Sequence, residues 1–168
     1  QVIVLTNASG SLRAHQPPGS LMLISDHLNA PQRSPLVGLT GMDRFCDMTA
    51  AWDAELRKTV LARARVLGEP LHEGIYCWAL GPQFETPAEI RMFQAWGADA
   101  VGMSTVPDVI LARHAGMRAL GLALMTNMGA GLSDEALTHE LTLSEANKNA
   151  ERAAHFLTEA LDAIHKTL

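Results

Sequence analysis

Cysteine is scarce in this chain: Cys46 and Cys77 are the only two among 168 residues, without the short spacing of a redox or zinc pair. Two isolated thiols fit a reducing compartment rather than a disulfide-stapled secreted fold. Positive charge is in deficit, with 13 Lys and Arg against 18 Asp and Glu for a net charge of -5. That balance disfavours a broad electrostatic grip on nucleic acid or anionic lipid. Long apolar runs are missing too, since no stretch approaches the roughly twenty residues a spanning helix needs. The N-terminus lacks the basic and small-residue flanks of a signal peptide. The expectation is a cytoplasmic protein with no nucleic acid and no membrane partner. None of the seven histidines is paired at i and i+4 or stands in ligand spacing with a cysteine, so no metal is expected. What remains, 48% hydrophobic and 18% charged, suits one globular domain with a real core, its eight methionines filling gaps.

The chain opens on Val2-Ile3-Val4-Leu5, a buried-strand run with neither a methionine nor a polar lead-in, and reads as the continuation of a longer polypeptide. Gly19 to Asp26, Gly74 to Leu80, Ala98 to Met103 and Ala119 to Thr126 are further apolar runs, giving five strands. Trp52, Leu56, Val60, Ala64 and Leu67 recur at helical spacing and stop at Gly68-Glu69-Pro70. Pro87 starts a helix through Trp96, and Pro107 another through His114. Thr142-Leu-Ser-Glu145 has capping-box form ahead of a long apolar stripe ending at Leu168. Strands alternating with helices imply an α/β layer sandwich, interrupted by a polar, proline-rich surface loop from Leu28 to Cys46.

In open α/β sheets ligands gather at strand ends, where backbone groups are unpaired. Four such ends carry candidate chemistry. After Leu5, the small residues Ala8, Ser9 and Gly10 would let amides approach an anion, or form only a turn. Asn7-Ala-Ser9 also has the form of a glycosylation acceptor, a coincidence without a secretory signal. In Gly81-Pro-Gln-Phe84-Glu85-Thr-Pro87, Phe84 suits stacking on a planar ring and Glu85 suits a ring N–H; alternatively Glu85 caps the next helix. Ser104 and Thr105 precede a helix, where hydroxyls serve phosphate or a plain N-cap. Asn127 ends a strand and can donate and accept at once, or satisfy its own turn.

Taken in order, TNASGSL, GSLMLISDHLN, RFCDM, EGIYCWALGPQFETPAEIR, GADAVGMSTVPDVILARHAG and LMTNM resemble the trimeric purine nucleoside phosphorylases over nearly the whole chain. The resemblance implies a three-layer αβα sandwich with a mixed central sheet. It also implies phosphorolysis of a purine nucleoside, with inorganic phosphate as co-substrate and no cofactor, in a homotrimer. On that resemblance Glu85 holds the purine N1–H edge and Asn127 bonds N7 and O6 as charge grows on the leaving base. Phe84 lines the base pocket; Tyr76, Met103 and His139 line the ribose; the Ala8 amide and the Ser104 hydroxyl hold phosphate.

Two departures qualify the match. Family members are longer and carry, ahead of the matching part, a serine, a histidine and an arginine for phosphate with no counterpart here, so this chain is expected to be a poor catalyst alone. The loop before Asp43-Arg44-Phe45 is short, and aligning RFCDM with the family keeps Phe45 as the aromatic lent to the neighbouring subunit's sugar. The alternative within the family is a methylthioadenosine phosphorylase, which resembles the VPDVILARHAG stretch. That branch needs a carboxyl group where Asn127 stands and lacks Glu85, so 6-oxopurines are expected. Outside it stand an inactive purine-binding module and an unrelated α/β protein with coincidental motifs. The GLSD segment at 131–134 leans towards the xanthosine-type branch.

Overall fold

The computed structural model describes residues 1–134 and 136–168. Its elements run β1 (Val2–Ser11), β2 (Leu21–Asn29), α1 (Ala54–Leu67), β3 (Leu71–Trp78), α2 (Pro87–Ala95), β4 (Ala100–Gly102), α3 (Val106–His114), β5 (Arg118–Met128) and α4 (His139–His165). The sheet is mixed, as expected: β1 runs parallel to β5 and antiparallel to β4, β2 is parallel to β3 and antiparallel to β5, and β3 is parallel to β4. The alternation of elements does not reveal that the strands close on themselves in the order β1-β4-β3-β2-β5.

Side-chain alternation sorts the core into layers. On β5, Leu120, Leu122 and Leu124 face α1 and α4, together with Leu21 and Leu23 of β2. The intervening Ala119, Ala123 and Met125 meet Val106, Val109 and Ile110 of α3 on the other side, together with Met22, Ile24, Tyr76 and Trp52. Helix α2 presses Ile90 and Phe93 onto Cys77, Val101 and Leu12. Gly121 sits in the small-residue stripe of β5 because a Cβ there would come within 2.7 Å of the Trp52 ring and 2.9 Å of Ile24.

Helix ends follow their caps. Asp53 accepts from the Leu56 amide at 2.9 Å and starts α1, so Trp52, read from spacing as its first apolar position, lies ahead of it and packs into the core. Arg118 clamps the same carboxylate and is the main reason its pKa is lowered to about 2. Gly68, left-handed at φ 69, closes the helix. The long helix α4 starts one turn before the expected capping box: Thr138 is the N-cap and accepts from the Leu141 amide, while Thr142 and Glu145 lie within the helix. The loop following β2 is tied down, with Leu36 buried and Cys46 and Met48 packed on the core.

Candidate active site

Strand β1 does not stop at Leu5. It runs on to Ser11, and Asn7, Ala8, Ser9 and Gly10 are strand residues rather than a turn. Ala8 pairs with Leu124 of β5, whereas β4 is registered only against Gly10 and Ser11, so beside Ala8 that edge of β1 has no ladder partner among the described strands. Opposite, the register slips between Ser9 and Gly10: Ser9 faces Met125 and Gly10 faces Asn127, leaving Thr126 as an extra residue in β5. Such a bulge re-aims the side chain that follows it.

The Thr126 hydroxyl, 2% exposed, fixes that side chain by donating to Asn127 Oδ1 at 3.0 Å. Asn127 Nδ2 donates to the Met128 carbonyl at 3.0 Å. One Nδ2 proton is thereby left over, since a carboxamide nitrogen carries two. Gly10 makes room for this amide, because a Cβ there would stand 3.0 Å from Nδ2.

Glu85 is released from capping by its neighbours. Thr86 is the N-cap of α2, accepting from the Glu89 amide at 3.3 Å, and Glu89 reaches back to the Thr86 amide at 2.7 Å. Glu85 is half-buried and pairs with no cation among the described residues. Desolvation raises its pKa above the usual carboxylate value. Behind it, burial and then the charge of Glu85 push the Cys77 thiol up to about 12, which makes it an inert core group.

Met103 and Ser104 follow β4, and Thr105 is the N-cap of α3 at φ 75, a left-handed conformation that a β-branched residue rarely adopts. Asp108 takes the Thr105 amide at 3.2 Å. Beneath them Tyr76 donates to the Ser104 carbonyl at 3.1 Å and accepts from its amide at 3.3 Å. Complete burial drives the pKa of this phenol up to about 12.

These ends meet around a cavity of about 620 Å³ whose wall includes Ala8, Phe84, Glu85, Met103, Ser104, Asn127 and His139. His139 reaches it because α4 begins early, placing His139 and Thr142 on successive turns against it. The cavity is within the usual range for small-molecule sites, with Phe84, Val101 and Met103 as its apolar wall and a dense set of polar side chains facing them.

Residues 1–162 match the phosphorylase superfamily. The chain belongs to that superfamily. It is 45% identical to purine nucleoside phosphorylase 1 of Geobacillus stearothermophilus over 149 residues, covering 87% of this chain and 54% of that protein. It is 47% identical to the purine nucleoside phosphorylase of Mycobacterium tuberculosis, covering 96% and 57%. A crystal structure of Schistosoma mansoni purine nucleoside phosphorylase in complex with inosine superimposes with a TM-score of 0.89 at 32% identity, covering 95% of this chain and 60% of that one. The chain thus spans about half the length of the curated relatives it matches.

Two of the phosphorylase residues expected from sequence lie off this cavity. Tyr76 is fully buried below it, propping Ser104 from behind. Phe45 is exposed on the loop after β2, beside Arg44, Leu36 and Leu39, in a separate hollow of about 310 Å³. Conversely, Asn7, Thr126 and Thr142 line the cavity without having been expected there, and Ser9, expected only through its amide, lines it too. For Asn7 and Ser9 the available signal was their two-residue spacing, which puts both on one strand face once β1 is extended past Leu5.

Proposed function

We propose that this chain supplies the nucleoside-binding part of a purine nucleoside phosphorylase acting on 6-oxopurine nucleosides. The observation carrying this reading is the shared cavity of Glu85 and Asn127, which Ser104 and Ala8 also line. Glu85 accepts the N1–H of hypoxanthine or guanine, while Phe84 covers the ring. Phosphate oxygen attacks C1′ as the C1′–N9 bond breaks, and the bonding electrons move into the purine. The free Nδ2 proton of Asn127 then faces charge developing at N7 and O6. A donor directed at charge present mainly in the transition state lowers the barrier, which equal binding of the substrate would not do. Met103 and His139 flank the sugar, and Ser104 with the Ala8 amide contacts the anion. Inorganic phosphate is the co-substrate, and the reading calls for no cofactor.

This reading also places the enzyme in the cytoplasm as a homotrimer, with Phe45 covering a neighbour's sugar. Exposed Val37, Met42 and Phe45 on one loop support that contact. The described helices include none long and apolar enough to cross a membrane, and both cysteines are unpaired. The test is release of hypoxanthine from inosine by the full-length protein, with and without phosphate, beside methylthioadenosine. Phosphate-dependent release that is faster from inosine is expected. Release independent of phosphate, or faster turnover of methylthioadenosine, would refute the assignment. Assayed as these 168 residues alone, purine binding with little turnover is expected.

A further inference from the structure

A polar file along the cavity ends at Ser104, and its other members, Ser9, Asn7 and Thr105, have no part in the reaction just described. Ser9 Oγ donates to Asn7 Oδ1 at 2.6 Å, Asn7 Nδ2 donates to Thr105 Oγ1 at 2.9 Å, and Thr105 Oγ1 lies 3.0 Å from Ser104 Oγ. The file joins β1 to the turn between β4 and α3. Ser9 and Thr105 are each only 3% exposed, whereas Ser104 is open to the cavity.

The direction of the protons follows from the ends. Asn7 is the only hydrogen-bond partner of Ser9 Oγ among the described residues. Turning the Asn7 amide over would leave the buried Ser9 O–H without an acceptor. With Nδ2 towards Thr105, an amide nitrogen that can only donate occupies one lone pair of Thr105 Oγ1. The Thr105 proton is then available to Ser104 Oγ, and the Ser104 proton is left to point into the cavity. Bonds aligned in one direction polarise each other, and an anion at the open end reinforces that alignment. The geometry at Thr105 is held from outside the file, by Asp108 on its amide and by Tyr76 on the main chain of Ser104.

We propose that Asn7 is a positioning residue that sets the proton direction of this file, so that Ser104 presents a donor to a phosphate oxygen. The proposal rests on the phosphorolysis reading. It makes the site selective for an oxyanion that only accepts at this point, and it assigns to Asn7 an effect on phosphate rather than on the nucleoside. An aspartate at this position only accepts when ionised. It would draw the Thr105 proton back, oblige Ser104 to donate to Thr105, and turn a lone pair towards the anion.

The test compares Asn7→Asp, Thr105→Val and Thr105→Ser in the full-length protein, with KM for phosphate and for inosine measured separately. Asn7→Asp and Thr105→Val are expected to raise the phosphate KM about tenfold or more, as for loss of a hydrogen bond to a charged group. The inosine KM should stay within about twofold, and Thr105→Ser, which keeps the hydroxyl, should return the phosphate KM close to wild type. An unchanged phosphate KM in Asn7→Asp, or an equal rise in both constants, overturns the proposal. Should Asn7→Asp fail to fold, the Thr105 pair decides alone. If the wild-type protein phosphorolyses no purine nucleoside, the functional reading fails first. The file is then tested by thermal shift with inorganic phosphate, which should stabilise wild type and Thr105→Ser more than Thr105→Val; equal shifts in all three overturn it.

Discussion

Replacing Asn127 by alanine separates transition-state stabilisation from simple binding. The wild-type amide has its oxygen engaged by Thr126 and one Nδ2 proton engaged by Met128, which leaves one donor for the purine. Against a neutral N7 in the ground state such a bond contributes about 0.5–1.5 kcal/mol, a factor of roughly ten or less. Against the charge of a departing base, a preorganised donor contributes about 2.7–4 kcal/mol, or on the order of 100- to 1000-fold in kcat. The fold should tolerate the change, because Thr126 Oγ1 still lies 3.4 Å from the Ser9 carbonyl and the truncated side chain borders an open cavity. Steady-state phosphorolysis of inosine at saturating phosphate, with a thermal melt as control, is therefore expected to show kcat falling far more than KM rises. A normal kcat with the whole loss in KM would mean that the amide binds substrate and transition state alike, and the reasoning would fail.

Protonating Glu85 exchanges a charged acceptor for N1–H for a weaker neutral one, and burial raises its pKa, so on the proposed reading kcat/KM for inosine should fall as pH drops through a value above the ordinary carboxylate range. Glu85→Gln should flatten that acid limb; an identical limb in the variant would assign it elsewhere. His27 accepts from Trp52 Nε1 at 3.1 Å and has its pKa lowered chiefly by burial, so the folded protein prefers it neutral. Its contribution to stability is complete above the unfolded value of 6.5 and is lost as pH falls through the lowered folded value. Thermal melts between about pH 7.5 and 5.5 should show a smaller decline in His27→Gln than in wild type, and parallel declines would contradict this. Gly102→Ala puts a Cβ 2.5 Å from Tyr76 Oη, and Gly121→Ala puts one 2.7 Å from the Trp52 ring. Each should cost about 1–3 kcal/mol in denaturant titrations, and only Gly102→Ala, by displacing the support of Ser104, should raise the phosphate KM.

The strands and amphipathic helices were legible because each apolar run or stripe is bounded by Gly, Pro or a cap. The end of β1 was not. Asn7 and Ser9 look like turn residues until the partner of the Asn7 amide, Thr105 on the β4–α3 turn, is known, and that partner lies 98 residues away in sequence. The start of α4 was misjudged for a related reason: Thr142 and Glu145 satisfy a local capping pattern, yet Thr138 is the residue with extended backbone and a bonded side chain. Glu85 and Asn127 could be named individually, but a single sequence left each with a bland alternative. Glu85 was freed by the Thr86–Glu89 cap, and Asn127 was aimed by an extra residue in β5 that no spacing rule announces. Tyr76 illustrates the limit: its residue type suits a sugar wall, but its depth is decided by Gly102, whose missing side chain lets the ring slide underneath.

Because Thr86 and Glu89 close the first turn of α2 without help, position 85 carries no structural duty towards that helix. On the proposed reading, exchange of the carboxylate for another side chain should leave the scaffold intact while altering which nucleobase edge is welcomed. If Glu85 reads the base as proposed, recognition and architecture fall on adjacent but separate residues, and substrate range could drift through substitutions at position 85 without passing through unfolded ancestors.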